Sequence, residues 1–231
     1  MKKLLISLVA IYFLVACDKA NIPMYHDNKS YVQFAESYLD SVNISFFLYP
    51  TENTYKLPLA LKLAGAPLQK NTEFAIVVLN ESTAKAEHYD LPDRIEFQAG
   101  QATDTLVLNL NKVDGLDKEP VCLILEIQGK GKLMAGQTIY TRKIIWLSNA
   151  IAQPIWWDQA FVRSFLGVYT DKKFSEFIRI TKTGDLDGMD PDRVRSLCLK
   201  FKAELVRLRN AGTPILEADG TDMLSTIPLL G

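Results

Sequence analysis

Along much of the chain, apolar and polar residues alternate in short runs. KLPLALKLA (56–64) sets Leu57, Leu59, Leu61 and Leu63 on one face, a period of two. Successive strand side chains point to opposite faces, so this pattern predicts a strand with one side buried. TLVLNLN repeats it with Leu106, Leu108 and Leu110, and PVCLILEI with Val121, Leu123, Leu125 and Ile127. SYVQFA (30–35), VNISFFLY (42–49) and IYTRKIIWLS (139–148) are short, β-branched and aromatic, and read as further strands. EFAIVVLN (73–80) is almost continuously apolar, the pattern of a strand buried on both faces. Pro58 falls on the polar side of its run and lacks an N–H, which predicts an edge strand or a bulge.

The turn signals AGAP, HYDLPD, QAGQ, VDGLD and QGKGK separate these runs. Seven to nine short strands spaced in this way predict a mainly β chain, with an immunoglobulin-like β-sandwich over residues 30–148. After Asn149 the period changes. Phe161 and Phe165, then Phe174, Phe177 and Ile178, recur at helical spacing. The clearest helix is DPDRVRSLCLKFKAELVRLRN, with Asp190 as its cap, Pro191 in the first turn and Asp192 near the positive end of the dipole. Val194, Leu197, Cys198, Phe201, Leu205 and Leu208 form its apolar stripe, and Gly212 suits the left-handed turn that ends it. Residues 149–231 therefore read as a smaller helical region. With no Pro/Ser-rich linker between them, the two parts are expected to pack together.

The first residues follow another pattern. Lys2 and Lys3 precede an apolar run from Leu4 to Val15. That run is shorter than the ~20 residues a membrane-spanning helix needs, and it matches a secretory signal. Leu14-Val15-Ala16-Cys17 resembles the bacterial lipobox. The resemblance implies that residues 1–16 are removed and that Cys17 becomes an acylated N-terminus, a membrane anchor when more than one chain is attached. Residues 17–29 then form a tether. Surface lipoproteins of this kind often carry an acidic run after the cysteine. Asp18-Lys19-Ala20-Asn21 is not one, so the periplasmic face and the cell surface both stay open for an outer-membrane location.

Charge narrows the choice of partner. Lys and Arg number 26 against 27 Asp and Glu, for a net charge of −1, so no strong positive field points to nucleic acid. With Cys17 assigned to lipid, Cys122 and Cys198 remain, either as buried thiols or as a disulfide. No CxxC or Cys/His cluster suggests zinc, and no cofactor is expected.

The order Ala86, Tyr89, Ile95, Phe97 and Gly100, followed by an alternating strand, resembles Calx-beta-type immunoglobulin-like domains. Together with the lipobox, the YVQF first strand and the IWW segment, the chain resembles a Bacteroidetes-type lipoprotein family of unknown function. That family is found beside Sus-like pairs of a TonB-dependent channel and its binding lipoprotein. Calx-beta domains can bind calcium, but Asp90, Asp93, Asp114, Asp117 and Glu119 are too scattered to supply the 6–8 oxygens it takes. GDLDGMDPD (184–192) departs from an EF-hand loop at its glycine and at Ser196, and reads as a turn leading into the Asp190 cap.

Trp156 and Trp157 stand out as ligand or partner contacts, with packing at the joint of the two regions as the alternative. His26 and His88 are the only histidines, and no nucleophile elbow, HExxH, phosphate loop or dinucleotide fingerprint occurs, so no catalytic residue is assigned. The sequence leads to the expectation of a non-enzymatic accessory lipoprotein that binds a protein partner or nutrient ligand, a glycan among them, in a Sus-like uptake system. Its rivals are an assembly role on a transporter subunit and a glycan hydrolase.

Overall fold

The computed structural model describes residues 29–229. The expected signal segment 1–16, Cys17 and the expected tether as far as residue 28 lie outside the described residues. Among the described residues, ten strands form two five-stranded sheets. The first is ordered β5 (Tyr89–Asp90), β7 (Thr103–Asn111), β3 (Thr54–Gly65), β1 (Ser30–Phe34) and β9 (Leu133–Ala135). The second is ordered β2 (Val42–Ser45), β10 (Arg142–Ser148), β8 (Val121–Gln128), β4 (Thr72–Val78) and β6 (Ile95–Phe97). Pairing is antiparallel except between β1 and β9 and between β2 and β10. The alternating leucines Leu57, Leu59 and Leu61 meet Leu106, Leu108, Leu110, Leu123, Leu125 and Ile127 in one core, which makes this a mainly β sandwich.

Several elements differ from the reading of the sequence. β3 lies in the middle of its sheet, and its register with β7 runs unbroken from Thr54 to Lys62, so Pro58 marks neither an edge strand nor a bulge. The hydrogen bonds show how it is tolerated. The Leu63 N–H donates to the Ala102 carbonyl at 2.9 Å, so odd-numbered residues of β3 bond to β7. Even-numbered ones point the other way, as the Ala60 carbonyl does in accepting from the Ala35 N–H at 2.8 Å. β1 pairs only with residues 61–65, so its ladder stops before it would need a donor from position 58.

β4 buries Phe74 and Ile76 but leaves Ala75 and Val77 half-exposed, so only one of its faces lies in the core. The run 42–49 is a strand only to Ser45, and Phe46–Leu48 turn as a 3-10 helix. The run 139–148 begins with a helical turn, Thr138–Thr141, closed by the Thr141 hydroxyl donating to the Thr138 carbonyl.

The chain enters and leaves the sandwich at opposite ends. Ser30 pairs with Gly65 at the close of β3. At the other end of β3, Thr54 pairs with Asn111, and the loop that follows leads to Val121, the partner of Leu147. At about 3.3 Å per residue, the 12 residues of β3 separate these two ends by roughly 40 Å.

The helical region forms a second core beside the exit end. Helix α1 (Asp171–Thr181) contributes Phe174, Phe177 and Ile178, and α2 (Pro191–Asn210) contributes Cys198, Phe201 and Leu205. Asp190 caps α2 by accepting from the N–H groups of Asp192 and Arg193, and Gly212 follows it at φ 75°. No helix among the described residues is long and apolar enough to cross a membrane. Cys122 and Cys198 are both buried, free thiols, so they form no disulfide.

Candidate functional site

Phe46 and Phe47 are neighbours in sequence but serve different cores. Phe46 belongs to the sandwich, while Phe47 and Leu48 pack into the helical cluster, with Phe47 5.7 Å from Phe174. The 3-10 turn makes this division possible by rotating successive side chains apart. Beside it the loop before α2 comes close. The Gly184 N–H donates to the Leu48 carbonyl at 3.0 Å, and a Cβ on Gly184 would sit 2.7 Å from Leu48 backbone atoms. The Ser45 hydroxyl donates to the Ala150 carbonyl. The two regions are thus joined by backbone as well as side-chain contacts.

A cleft of about 310 Å³ lies along this seam, lined by Asn43, Tyr49, Gln153, Trp156, Asp185 and Asp187, among others. Its polar side is organised by Tyr49, whose hydroxyl donates to Asp185 Oδ2 at 2.7 Å. Burial, and then the Asp185 carboxylate, push the Tyr49 phenol above its ordinary pKa, so it stays a donor through neutral pH. Asp185 also accepts from the Asp187 N–H.

The apolar side is the PIWW turn, closed by the Trp157 N–H donating to the Pro154 carbonyl. Trp156 stacks on Trp157 at 5.5 Å and meets Phe161 and Phe174 edge-on. Its Nε1 is buried and finds no hydrogen-bond partner among the described residues. Ile155, the residue just before it, is 98% exposed.

The two tryptophans therefore differ. Trp157 is 1% exposed, and its Nε1 donates to the Gly167 carbonyl at 3.0 Å. Its side chain packs in the helical core rather than on the cleft wall, the arrangement that the alternative reading of this segment described. Trp156 is half-buried on the cleft wall. Ile155 was missed because a lone aliphatic residue beside two tryptophans reads as core, and only the turn puts it outside.

The other candidates lie elsewhere. His88 is buried, and its Nδ1 accepts from the Lys85 N–H at 3.1 Å, closing a turn. Among the described residues, no group of three or more His, Cys, Asp or Glu could hold a metal ion. The cleft thus offers an aromatic wall, an exposed aliphatic rim, two carboxylates and a phenol, a set suited to holding a ligand or a partner's side chains.

A family model described as "Domain of unknown function (DUF4843)" matches residues 25–183, a span covering the sandwich, the PIWW turn and α1. No curated protein matches the chain. Among solved structures, a Bacteroides ovatus ATCC 8483 protein described as a "putative carbohydrate binding protein" is similar over 52% of this chain and 37% of its own, at 9% identity and TM-score 0.39. The Calx CBD1 domain is similar over 52% of this chain and 98% of its own, at 6% identity and TM-score 0.37. A Bacteroides ovatus protein of unknown function is similar over 54% and 46%, at 14% identity and TM-score 0.39.

Proposed function

Because the chain belongs to the DUF4843 family, whose function is open, we propose that it is a non-enzymatic accessory lipoprotein of the outer membrane, anchored through Cys17. It binds a protein partner or nutrient ligand of a Sus-like uptake system at the cleft between its two cores. The observation that carries this reading is the placement of that cleft. It lies at the end of the sandwich opposite Ser30, roughly 40 Å from where the tether enters, so the sandwich acts as a spacer holding the binding face away from the anchor. The fully exposed Ile155 and the half-buried Trp156 supply the apolar contacts that interfaces and sugar-binding walls use, and Tyr49 and Asp185 supply directional hydrogen bonds.

The test is the double substitution Ile155→Glu with Trp156→Ala in the full-length, membrane-resident protein. Two readouts are followed: co-purification of transporter proteins after cross-linking, and retention on immobilised glycans. One of the two should fall at least about tenfold, the loss of one interface anchor. Trp156→Ala also costs aromatic packing, so Ile155→Glu alone, at a fully exposed side chain, should show a fall in the same readout with the unfolding midpoint little changed. If both readouts keep their wild-type level in a folded variant, the cleft is not the binding face. Trp157 is unsuitable for this test, since truncating it empties the core.

A further inference from the structure

The sandwich is electrically polarised along its axis. The loops that turn between strands at the entry end, 66–71, 98–102 and 129–132, carry Lys70, Lys130 and Lys132 and no acidic residue. At the exit end, the loops 49–53, 79–88 and 112–120 carry Glu52, Glu81, Glu87, Asp114, Asp117 and Glu119, against Lys85, Lys112 and Lys118. The strand ends beside the basic loops also carry Glu73, Glu96 and Asp104, so the entry end keeps a smaller positive excess, with Lys70 and Lys132 among its lysines, while the exit loops are net acidic.

The basic end has a shape of its own. Its loops surround a depression of about 840 Å³ lined by Ser30, Lys70, Arg94, Lys130 and Lys132. The two carboxylates that reach it pair with Arg94 and Lys130 and offset that much of its positive charge. Glu73 lies 2.7 Å from both Arg94 and Lys130, and Glu96 lies 2.6 Å from Arg94. The chain enters between these same loops. The Ser30 N–H donates to the Lys132 carbonyl, and its hydroxyl donates to the Ala66 carbonyl at 2.7 Å. Gly65, at φ 98°, admits the incoming backbone where a Cβ would stand 2.6 Å from the Lys29 carbonyl.

We propose that this basic end is a membrane-docking face that rests on the anionic lipid headgroups around the anchor. The inference rests on the lipid-anchor reading of Cys17. Residues 17–29 reach at most roughly 45 Å even fully extended, about the length of the sandwich, so they keep the protein near the bilayer and the charge of the entry end selects which face meets it. Clustered lysines next to an anionic leaflet gain attraction that fades within a Debye length. Docking here leaves the Trp156 cleft facing away from the membrane.

The test uses the full-length protein in vesicles, with a fluorescent label on Gln69→Cys at the basic end or on Glu52→Cys at the other. The native thiols Cys122 and Cys198 are buried. Quenching by a headgroup-attached quencher is compared in phosphatidylcholine vesicles with and without one-quarter phosphatidylglycerol. The Gln69→Cys label should be quenched at least about fivefold more in the anionic vesicles. The excess should disappear in Lys70→Glu/Lys132→Glu and in roughly 0.5 M salt, and the Glu52→Cys label should respond to none of these changes. Equal quenching in both lipids, or an excess that survives the charge reversal, overturns the proposal. Mass measurement of the N-terminal peptide reports acylation of Cys17 separately, so a missing anchor and a missing headgroup contact give different results.

Discussion

Tyr49 donates its hydroxyl to Asp185 Oδ2 at 2.7 Å, across 136 positions of sequence. One partner follows the 3-10 turn at the end of the sandwich, and the other sits in the loop before α2. The bond therefore spans the seam between the two cores at the place where the candidate cleft opens. Tyr55, in β3, packs against the Tyr49 ring at 4.8 Å and holds it in place.

The seam should be sensitive to a single methyl group. Gly184→Ala would drive a Cβ to 2.7 Å from Leu48 backbone atoms and disturb the Gly184–Leu48 hydrogen bond. Overpacking of this kind costs about 1–3 kcal/mol. Urea unfolding should show a loss of that size, and Tyr49→Phe a smaller one of about 1 kcal/mol. A Gly184→Ala midpoint equal to wild type would show that the seam yields without cost.

A buried ion pair ties α1 to the C-terminal segment. Lys173 and Glu217 are 1% and 7% exposed, with Nζ and Oε1 3.3 Å apart, an ion-pair contact without hydrogen-bond geometry. Glu217 Oε2 accepts from the Thr170 hydroxyl, and Lys173 Nζ donates to the Val168 carbonyl. Burial pulls the Lys173 pKa down, and Glu217 pulls it back up. Lys173→Met should destabilise by about 3–5 kcal/mol, because it strands a buried carboxylate. Adding Glu217→Leu should restore most of that loss, and a double-mutant cycle measures the coupling.

Alkaline stability should be limited in part by Cys198. Its thiol is 0% exposed, and burial raises its pKa from 9.0 to about 12. Above pH 9.0 the unfolded chain gives up this proton, while the folded chain holds it until about pH 12. The unfolded state then binds fewer protons, so stability falls across that window and is fully present below it. A shift of this size corresponds to on the order of 4 kcal/mol at full extent. Cys198→Ala should flatten the fall in unfolding free energy between pH 9 and 12 relative to its own neutral value. An unchanged slope would assign the alkaline limb to other groups, such as Tyr49 and Tyr169, whose burial raises them as well.

Much of the fold was legible because burial on one face leaves a local record. Leu57, Leu59, Leu61, Leu106, Leu108 and Leu110 alternate because each strand has an inside and an outside. Asp190, Pro191 and Gly212 mark the ends of α2 because a helix terminus needs its partners within a few residues. The candidate site was harder to read. Trp156 and Trp157 look equivalent in sequence, and a turn of four residues separates their fates, one to the core and one to the cleft wall. Ile155 left no signal, since nothing in its neighbours announces that it projects into solvent.

By itself the sequence determined the class of the protein: strands of period two, then helices of longer period, after a segment that resembles a lipoprotein signal. Each of these depends on residues only a few positions apart. Only the tertiary structure decided how the pieces relate. It placed Phe46 and Phe47 in separate cores, brought Asp185 to Tyr49, and gathered Lys70 and Lys132 around Ser30 at the end opposite the cleft. Those relationships come from pairings between distant strands and loops, which a local pattern of apolar and polar residues does not encode.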